Sequence, residues 1–253
     1  MKIHDETETL VGDGVKRENH MLTFLHGVRT GIPVAVGYVP IAIAFGAMAK
    51  SAGIPDYVSV MMSLMVYAGA SQFVGVNLLS VGAAYWEIVV TTFVLNLRHF
   101  LMSASLSQRI PKGASRIGLA LVSFGLTDET FSLASVRQEP QLRPAFLAGL
   151  NLIAFAAWNA GTWIGVFLSA SLPATIQAGM GIALYAMFIG LLVPSLKKSR
   201  AIVAISLLAA GMHAVLRWVP PFSGLSAGLD ILIVTVAAAA AGALLFPKEE
   251  EPS

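Results

Sequence analysis

Asn96, Leu97, Arg98 and His99 follow one another in the middle of an apolar run, about 83–106, that is long enough to cross a bilayer. An arginine at the centre of a membrane helix costs about 2.5–3.5 kcal/mol on insertion scales, so it needs a partner or a task there. Around it Thr92, Asn96, His99, Ser103 and Ser107 recur every three or four residues and form one polar stripe on a helix. Arg98 stands off that stripe, about a quarter turn from His99, and shares a face with Thr91 and Glu87. One straight helix therefore cannot aim Arg98 and Asn96 at the same point. Either the stripe lines a water-filled path while Arg98 pairs with a neighbouring helix, or the helix is distorted around the tetrad.

Further along, Thr127, Asp128 and Glu129 place adjacent carboxylates inside another apolar stretch. Two bare anions side by side at membrane depth are costly, so one should be paired or protonated. On a continuous helix Asp128 shares its face with Ser132 and Ser135, whereas Glu129 has Gly125, Leu133 and Val136, which favours Asp128 for polar work. Its plain structural role would be to neutralise Arg98. Gln72 sits in the run from Ala68 to Phe73, whose small residues suit helix packing, and its amide needs another helix or a polar cavity. Gathered in one place, these groups would suit a small zwitterion. Gln72, Asn96, Arg98 and Asp128 are the substrate-binding candidates, with the carboxylate drawn to Arg98 or to a half-helix N-terminus and the ammonium to Asp128. His99, Asp128 and Glu129 are the candidates for proton coupling.

Other chemistries have little support. The five histidines show no HExxH or similar ligand spacing, and nucleophile elbow and phosphate-binding glycine loop are both missing. No metal or cofactor is expected, and neither is an enzyme: carboxyl-pair catalysis would place its acids on facing helices rather than side by side. Cysteine is absent, which excludes disulfides and thiolate metal sites.

Such groups need a membrane scaffold. Of 253 residues 56% are hydrophobic and 12% charged, against about 25% charged in soluble domains, and mean hydropathy is +0.75. The charges crowd into short connecting segments, so no nucleic-acid surface is implied. Residues 1–28 read as a polar cytoplasmic tail, with an interfacial helix over 20–29 and no signal-peptide h-region; 29–246 form the membrane domain and 247–253 a second polar tail. Eight apolar segments are expected to span, about 31–49, 57–81, 83–107, 117–136, 145–170, 178–196, 200–219 and 225–246, giving an all-α, polytopic helical bundle. With eight spans, ten Lys and Arg residues fall on the side of the termini and five on the other, which predicts cytoplasmic termini. Arg109, Lys112 and Arg116 argue against that count, and one re-entrant segment among the first three would leave seven spans. Segment 31–49 carries Pro33, Gly37 and Pro40, a density of breakers that predicts a broken or kinked first helix of the kind that builds substrate sites in secondary transporters.

Asn151, Trp158 and Thr162 share a helical face that binds a neighbour or lines a path. Gly190 and Pro194 should kink the sixth segment, Lys197, Lys198 and Arg200 form an orienting cluster, and Gly224 and Gly228 give a GxxxG contact at the start of the last span. No internal match between halves is evident.

Four short motifs, Gly31-Ile-Pro, Ala68-Gly-Ala-Ser-Gln-Phe, Asn96-Leu-Arg-His and Leu126-Thr-Asp-Glu-Thr-Phe, stand in the order found in the AzlC family, and the chain resembles that family over about 29–246. Ser71 and Met102 depart from the pattern, standing where alanine and an aromatic residue are expected. The resemblance implies a bacterial inner-membrane exporter of branched-chain amino acids, valine, leucine and isoleucine, and sometimes methionine. It further implies drive from the proton-motive force and a small AzlD-type membrane subunit as partner. The alternative is a structural or regulatory membrane subunit that moves nothing by itself, its polar stripes serving as glue between helices.

Overall fold

The computed structural model describes residues 2–168, 199–219 and 225–246 with a few positions between 175 and 197, and side-chain surroundings from residue 23 onward. Because lipid offers the backbone no hydrogen bonds, long apolar runs close their own as helices. Among the described residues five helices are long and apolar enough to cross a membrane: α1 (Lys2–Ser51), with its apolar part at Thr23–Ser51, α4 (Tyr85–Ser107), α7 (Pro144–Leu168), α8 (Arg200–Trp218) and α9 (Ala227–Leu245). The helical membrane bundle expected from composition is therefore present. Most of the sixth expected segment, 178–196, including Gly190 and Pro194, lies outside the described residues, as do Lys198, Gly224 and the tail 247–253.

Segments two and four do not cross. The second divides into α2 (Asp56–Met61), a π-helical turn (Met62–Val66) and α3 (Gly69–Ser80). Gln72 Nε2 donates to Ser63 Oγ across the break at 2.9 Å, and the Met62 methyl lies beside Gly75. Such contacts form only if α3 folds back along the strand of helix before it. The fourth segment divides into α5 (Arg116–Phe124) and α6 (Asp128–Ser135), bent by 117°. Arg109, just beyond the end of α4, donates to the carbonyls of Ser135 (3.1 Å), Arg137 (2.7 Å) and Glu139 (2.6 Å), just beyond the end of α6. Start and finish of this pair thus lie at one end of the bundle, and it too is a re-entrant hairpin.

Helix directions follow from contacts. α1 and α7 run parallel: Gly27 meets Phe146 and Leu150, and Gly46 meets Thr162 and Val166. Their seam depends on absent side chains, since a Cβ at Gly165 would stand 2.1 Å from the Ile43 carbonyl oxygen. α8 and α9 are antiparallel, with His213 against Asp230 and Ile205 against Gly242. Arg143 bonds Thr23 and Arg137 bonds His26, which gathers Arg29, Arg109, Lys112, Arg116, Arg137 and Arg143 at one end, the near end, where α8 also begins with Arg200. Lys50 and Arg217 are at the far end. This corrects the placing of Arg109, Lys112 and Arg116 opposite to Arg137 and Arg143. Eight crossings forced that assignment, and a hairpin in place of a crossing removes the conflict.

The first helix is likewise corrected: it is continuous through Pro33 and Pro40. Both prolines and Gly37 lie on one exposed face of α1, away from Ala35, Tyr38 and Ala42, which are buried. The donors that proline removes are thus missing on the outside, and the breaks fall instead at Tyr67–Ala68 and Gly125–Thr127.

The hairpins repeat one arrangement with opposite sense: α1 is followed by a hairpin from the far end, α4 by a hairpin from the near end. Each has its own apolar core against α7. Phe45, Phe73, Val76 and Trp158 pack around the first, and Leu106, Val122, Leu126, Phe146 and Leu150 around the second.

Candidate functional site

The two hairpin tips meet between α1, α4 and α7. In the first, Tyr67 takes the left-handed conformation at φ +44°, which a bulky residue holds only when its surroundings impose it, and Ala68 then leads into α3 without any side-chain cap. Trp158 of α7 closes over Gly69 so tightly that a Cβ there would stand 2.7 Å from the indole, which leaves room for glycine alone. Four buried bonds form the latch between this hairpin and α7, the first and third of them crossing: Trp158 Nε1 to Gln72 Oε1 (3.1 Å), Gln72 Nε2 to Ser63 Oγ (2.9 Å), Ser63 Oγ with Thr162 Oγ1 (2.7 Å) and Thr162 Oγ1 to the Trp158 carbonyl (3.0 Å). They close a ring in which each member both gives and receives, so the amide of Gln72 is satisfied within the protein.

At the second tip Thr127 caps α6 in a reciprocal box with Thr130, and Asp128 and Glu129 occupy the first turn, where the helix dipole favours negative charge. Being 100° apart, they reach different partners. Asp128 pairs with Arg98 of α4, and Glu129 accepts a bond from Tyr38 of α1, whose hydroxyl oxygen also lies 2.7 Å from Thr127 Oγ1. Each anion thereby has its own counter-group, which answers the cost of two neighbouring charges. His99 Nδ1 is 3.0 Å from the Leu126 carbonyl. A carbonyl only accepts, so Nδ1 carries a proton and Nε2 of the neutral ring is an acceptor.

Between the tips is a small cavity bounded by Tyr38, Tyr67, Arg98, His99, Glu129 and Trp158, with about 30 Å³ for the centres of water molecules. That suffices for one or two waters and is far below the few hundred Å³ of a small-molecule pocket, so this conformation is closed. Three buried polar atoms on its walls have no partner: Tyr67 Oη, His99 Nε2 and Arg98 Nε. A larger groove, about 510 Å³, opens beside α5 and α7, but Leu121, Phe124, Leu152 and Phe155 make it apolar and it has no ionisable lining.

Of the residues singled out from sequence, Arg98, His99, Asp128 and Glu129 are brought together. Asn96 is turned away, its Oδ1 accepting from Ser71 Oγ at 2.6 Å, as the angle between Asn96 and Arg98 required. Gln72 lies in the latch, and Pro33, Gly37 and Pro40 are on the outer face. Asn151, Trp158 and Thr162 bind neighbours, Asn151 Nδ2 donating to the Val122 carbonyl at 2.8 Å. Tyr38, Tyr67 and Trp158 complete the site. Tyrosines in apolar helices carry no spacing signal, whereas Thr127 before two acids is a helix-start signature that could have revealed the second break and went unread.

A second polar cluster joins α4, α8 and α9 at the far end. Glu87 accepts from Ser226 Oγ (2.8 Å), Thr91 donates to the Gly228 carbonyl (3.2 Å), and Asp230, 3% exposed, faces His213 Nδ1 (3.1 Å) and Arg217 Nε (3.6 Å).

The chain matches the family model described as AzlC protein over residues 33–172, which takes in α1 from Pro33, both hairpins, α4 and α7. It is 32% identical over 200 residues to the inner membrane protein YgaZ of Escherichia coli, covering 76% of this chain and 81% of that one. To an uncharacterized membrane protein of Archaeoglobus fulgidus it is 31% identical over 185 residues, 72% of this chain and 80% of the other. The branched-chain amino acid transport protein AzlC of Bacillus subtilis is 25% identical over 187 residues, 73% and 72% of the respective chains. No solved structure matches significantly.

Proposed function

This chain belongs to the AzlC family of membrane transport proteins, and on that premise we propose that it is a secondary exporter of the branched-chain amino acids valine, leucine and isoleucine, and sometimes of methionine, in the bacterial cytoplasmic membrane. The observation that carries the reading is the meeting of two oppositely inserted hairpins at a closed cavity flanked by Arg98, Asp128, Glu129 and His99. Irregular backbone at membrane depth survives where it lines a cavity, and paired half-helix ends are how many transporters hold small charged substrates.

A substrate ammonium would compete with Arg98 for Asp128 and with Tyr38 for Glu129, so substrate arrival loosens the contacts that close the cavity. His99 supplies the coupling. While neutral, its Nε2 accepts from the ammonium; once protonated it is a cationic donor that repels it, in a ring of charge and hydroxyl made by Arg98, Asp128, Glu129, Tyr38 and Tyr67. Proton and substrate then alternate, the relation that inward proton flow needs to drive export. The apolar walls separate valine from leucine or methionine weakly, since one methylene is worth about 1–3 kcal/mol.

Positive residues are retained in the cytoplasm, so the end holding Arg29, Arg109, Lys112, Arg116, Arg137, Arg143 and Arg200 faces inward and both termini are cytoplasmic. A small AzlD-type subunit is the expected partner. The direct test is valine efflux from cells loaded with a valine dipeptide, repeated with purified protein in liposomes with and without that subunit. Efflux should be lost in Asp128→Asn and His99→Gln; unchanged efflux in both would remove this mechanism, and no flux from the wild type under either condition would remove the transport function.

A further inference from the structure

Resting on the amino-acid reading, we propose that Tyr67 and the start of α3 form the carboxylate clamp of the substrate site. The two half-helix N-termini at the cavity are chemically unlike. That of α6 is already occupied by its own acids and its Thr127 cap. That of α3 begins Gly69, Ala70, Ser71, has no acidic residue in its first turn and no side-chain cap, so its first N–H groups and positive dipole end are unanswered. Ala68, Gly69 and Ala70 border the cavity.

Independently, Tyr67 is 2% exposed, borders the same cavity and has a hydroxyl without a partner. A buried hydroxyl is rarely left so unless a ligand or water completes it. Its strained left-handed backbone carries the side chain at the very residue where the helix breaks, and its ring is held edge-on by Phe155 at 4.9 Å between centroids. Hydroxyl and N–H groups are donors, whereas the groups across the cavity, Glu129 and the neutral His99 Nε2, are acceptors. A zwitterion fits that polarity in one orientation: carboxylate on the first hairpin, ammonium on the second. Arg98, which faces Asp128 on the side of the second hairpin, is not the carboxylate's main ligand.

Tyr67→Phe removes the hydroxyl and keeps the ring. Affinity is measured by competition with labelled valine, comparing L-valine with isobutylamine, its decarboxylated form. Loss of a bond to a charged group should weaken valine about tenfold and leave the amine unchanged, so the ratio between them shrinks about tenfold. An unchanged ratio, whether or not both affinities fall, overturns the clamp. Ala68→Asp gives α3 a carboxylate of its own where one is favoured in a cap position. Where this variant folds it should bind valine no longer; valine binding at wild-type strength in a folded protein refutes the assignment. Isovalerate, a carboxylate without the ammonium, separates this proposal from the transport reading. Were the wild type to move no amino acid, thermal stabilisation by isovalerate that disappears in Tyr67→Phe would still uphold the clamp, and stabilisation equal in both proteins, or in neither, would end it.

Discussion

Neutralising either member of the Arg98–Asp128 pair should cost stability that neutralising both restores. The side chains are 36% and 29% exposed, so about two thirds of the charge is withdrawn from polar surroundings. An unpaired arginine at mid-membrane costs about 2.5–3.5 kcal/mol, and two thirds of that is about 2 kcal/mol for Asp128→Asn, with a similar loss for Arg98→Gln. In the double variant neither charge is left alone, so its own loss should be near zero and the coupling in the cycle about 4 kcal/mol. For a protein of this size a loss of about 2 kcal/mol is a drop of about 4–8 °C in each single variant, with a rebound in the double one. Melting is followed in detergent by loss of the monodisperse chromatographic peak, because a chain without cysteine gives no signal with thiol-reactive dyes. Efflux should remain absent in Asp128→Asn and in the double variant, which rebuilds packing but supplies no charge for the substrate ammonium. Additive losses within about 0.5 kcal/mol would show that the two residues do not act as a pair, and recovered efflux in the double variant would show that their charges serve the fold alone.

Gly165→Ala pushes a Cβ to 2.1 Å from the Ile43 carbonyl in the α1–α7 seam and should destabilise by about 1–3 kcal/mol, while Gly37→Ala, with nothing within 4 Å, should melt at or above the wild-type temperature. Side is readable by single cysteines: Lys112→Cys and Gln138→Cys should both resist an impermeant thiol reagent applied from outside the cell, and Gly82→Cys should react, whereas opposite labelling of the first two would mean that hairpin two crosses. At the near end the Arg137 guanidinium bonds Glu139 and holds its carboxyl below the usual carboxylate range. The stabilisation is therefore complete above the ordinary glutamate value and is lost as pH falls through the lowered one. A small acid-side decline in melting temperature should accordingly flatten in Glu139→Gln, and an identical profile would show that this contact is too solvated to matter.

Much of the site was legible because charge in an apolar run is hard to hide. Arg98, His99, Asp128 and Glu129 stood out by their cost in lipid, and all four line one cavity. Asn96 and Gln72 stood out for the same reason but are satisfied by Ser71 and by Trp158 and Ser63, partners that lie elsewhere in the chain. The missing pieces, Tyr38 and Tyr67, are amphipathic residues that hydropathy treats as ordinary membrane content. The far-end acid Asp230 likewise acquires its meaning from His213 and Arg217 on another helix.

What composition and order determined was the solvent: at this hydropathy the backbone must close its hydrogen bonds within helices, and the membrane-depth charges must find one another. What only tertiary structure decided was which apolar runs cross. A run of twenty apolar residues pays the same transfer energy whether it spans or folds halfway and returns, so hydropathy cannot separate the two cases. The decision rests on the α1–α7 seam and the latches around Trp158 and Arg109, where contacts between residues about a hundred or about thirty positions apart satisfy side chains of the first hairpin and carbonyls at the end of the second, and bring their tips together.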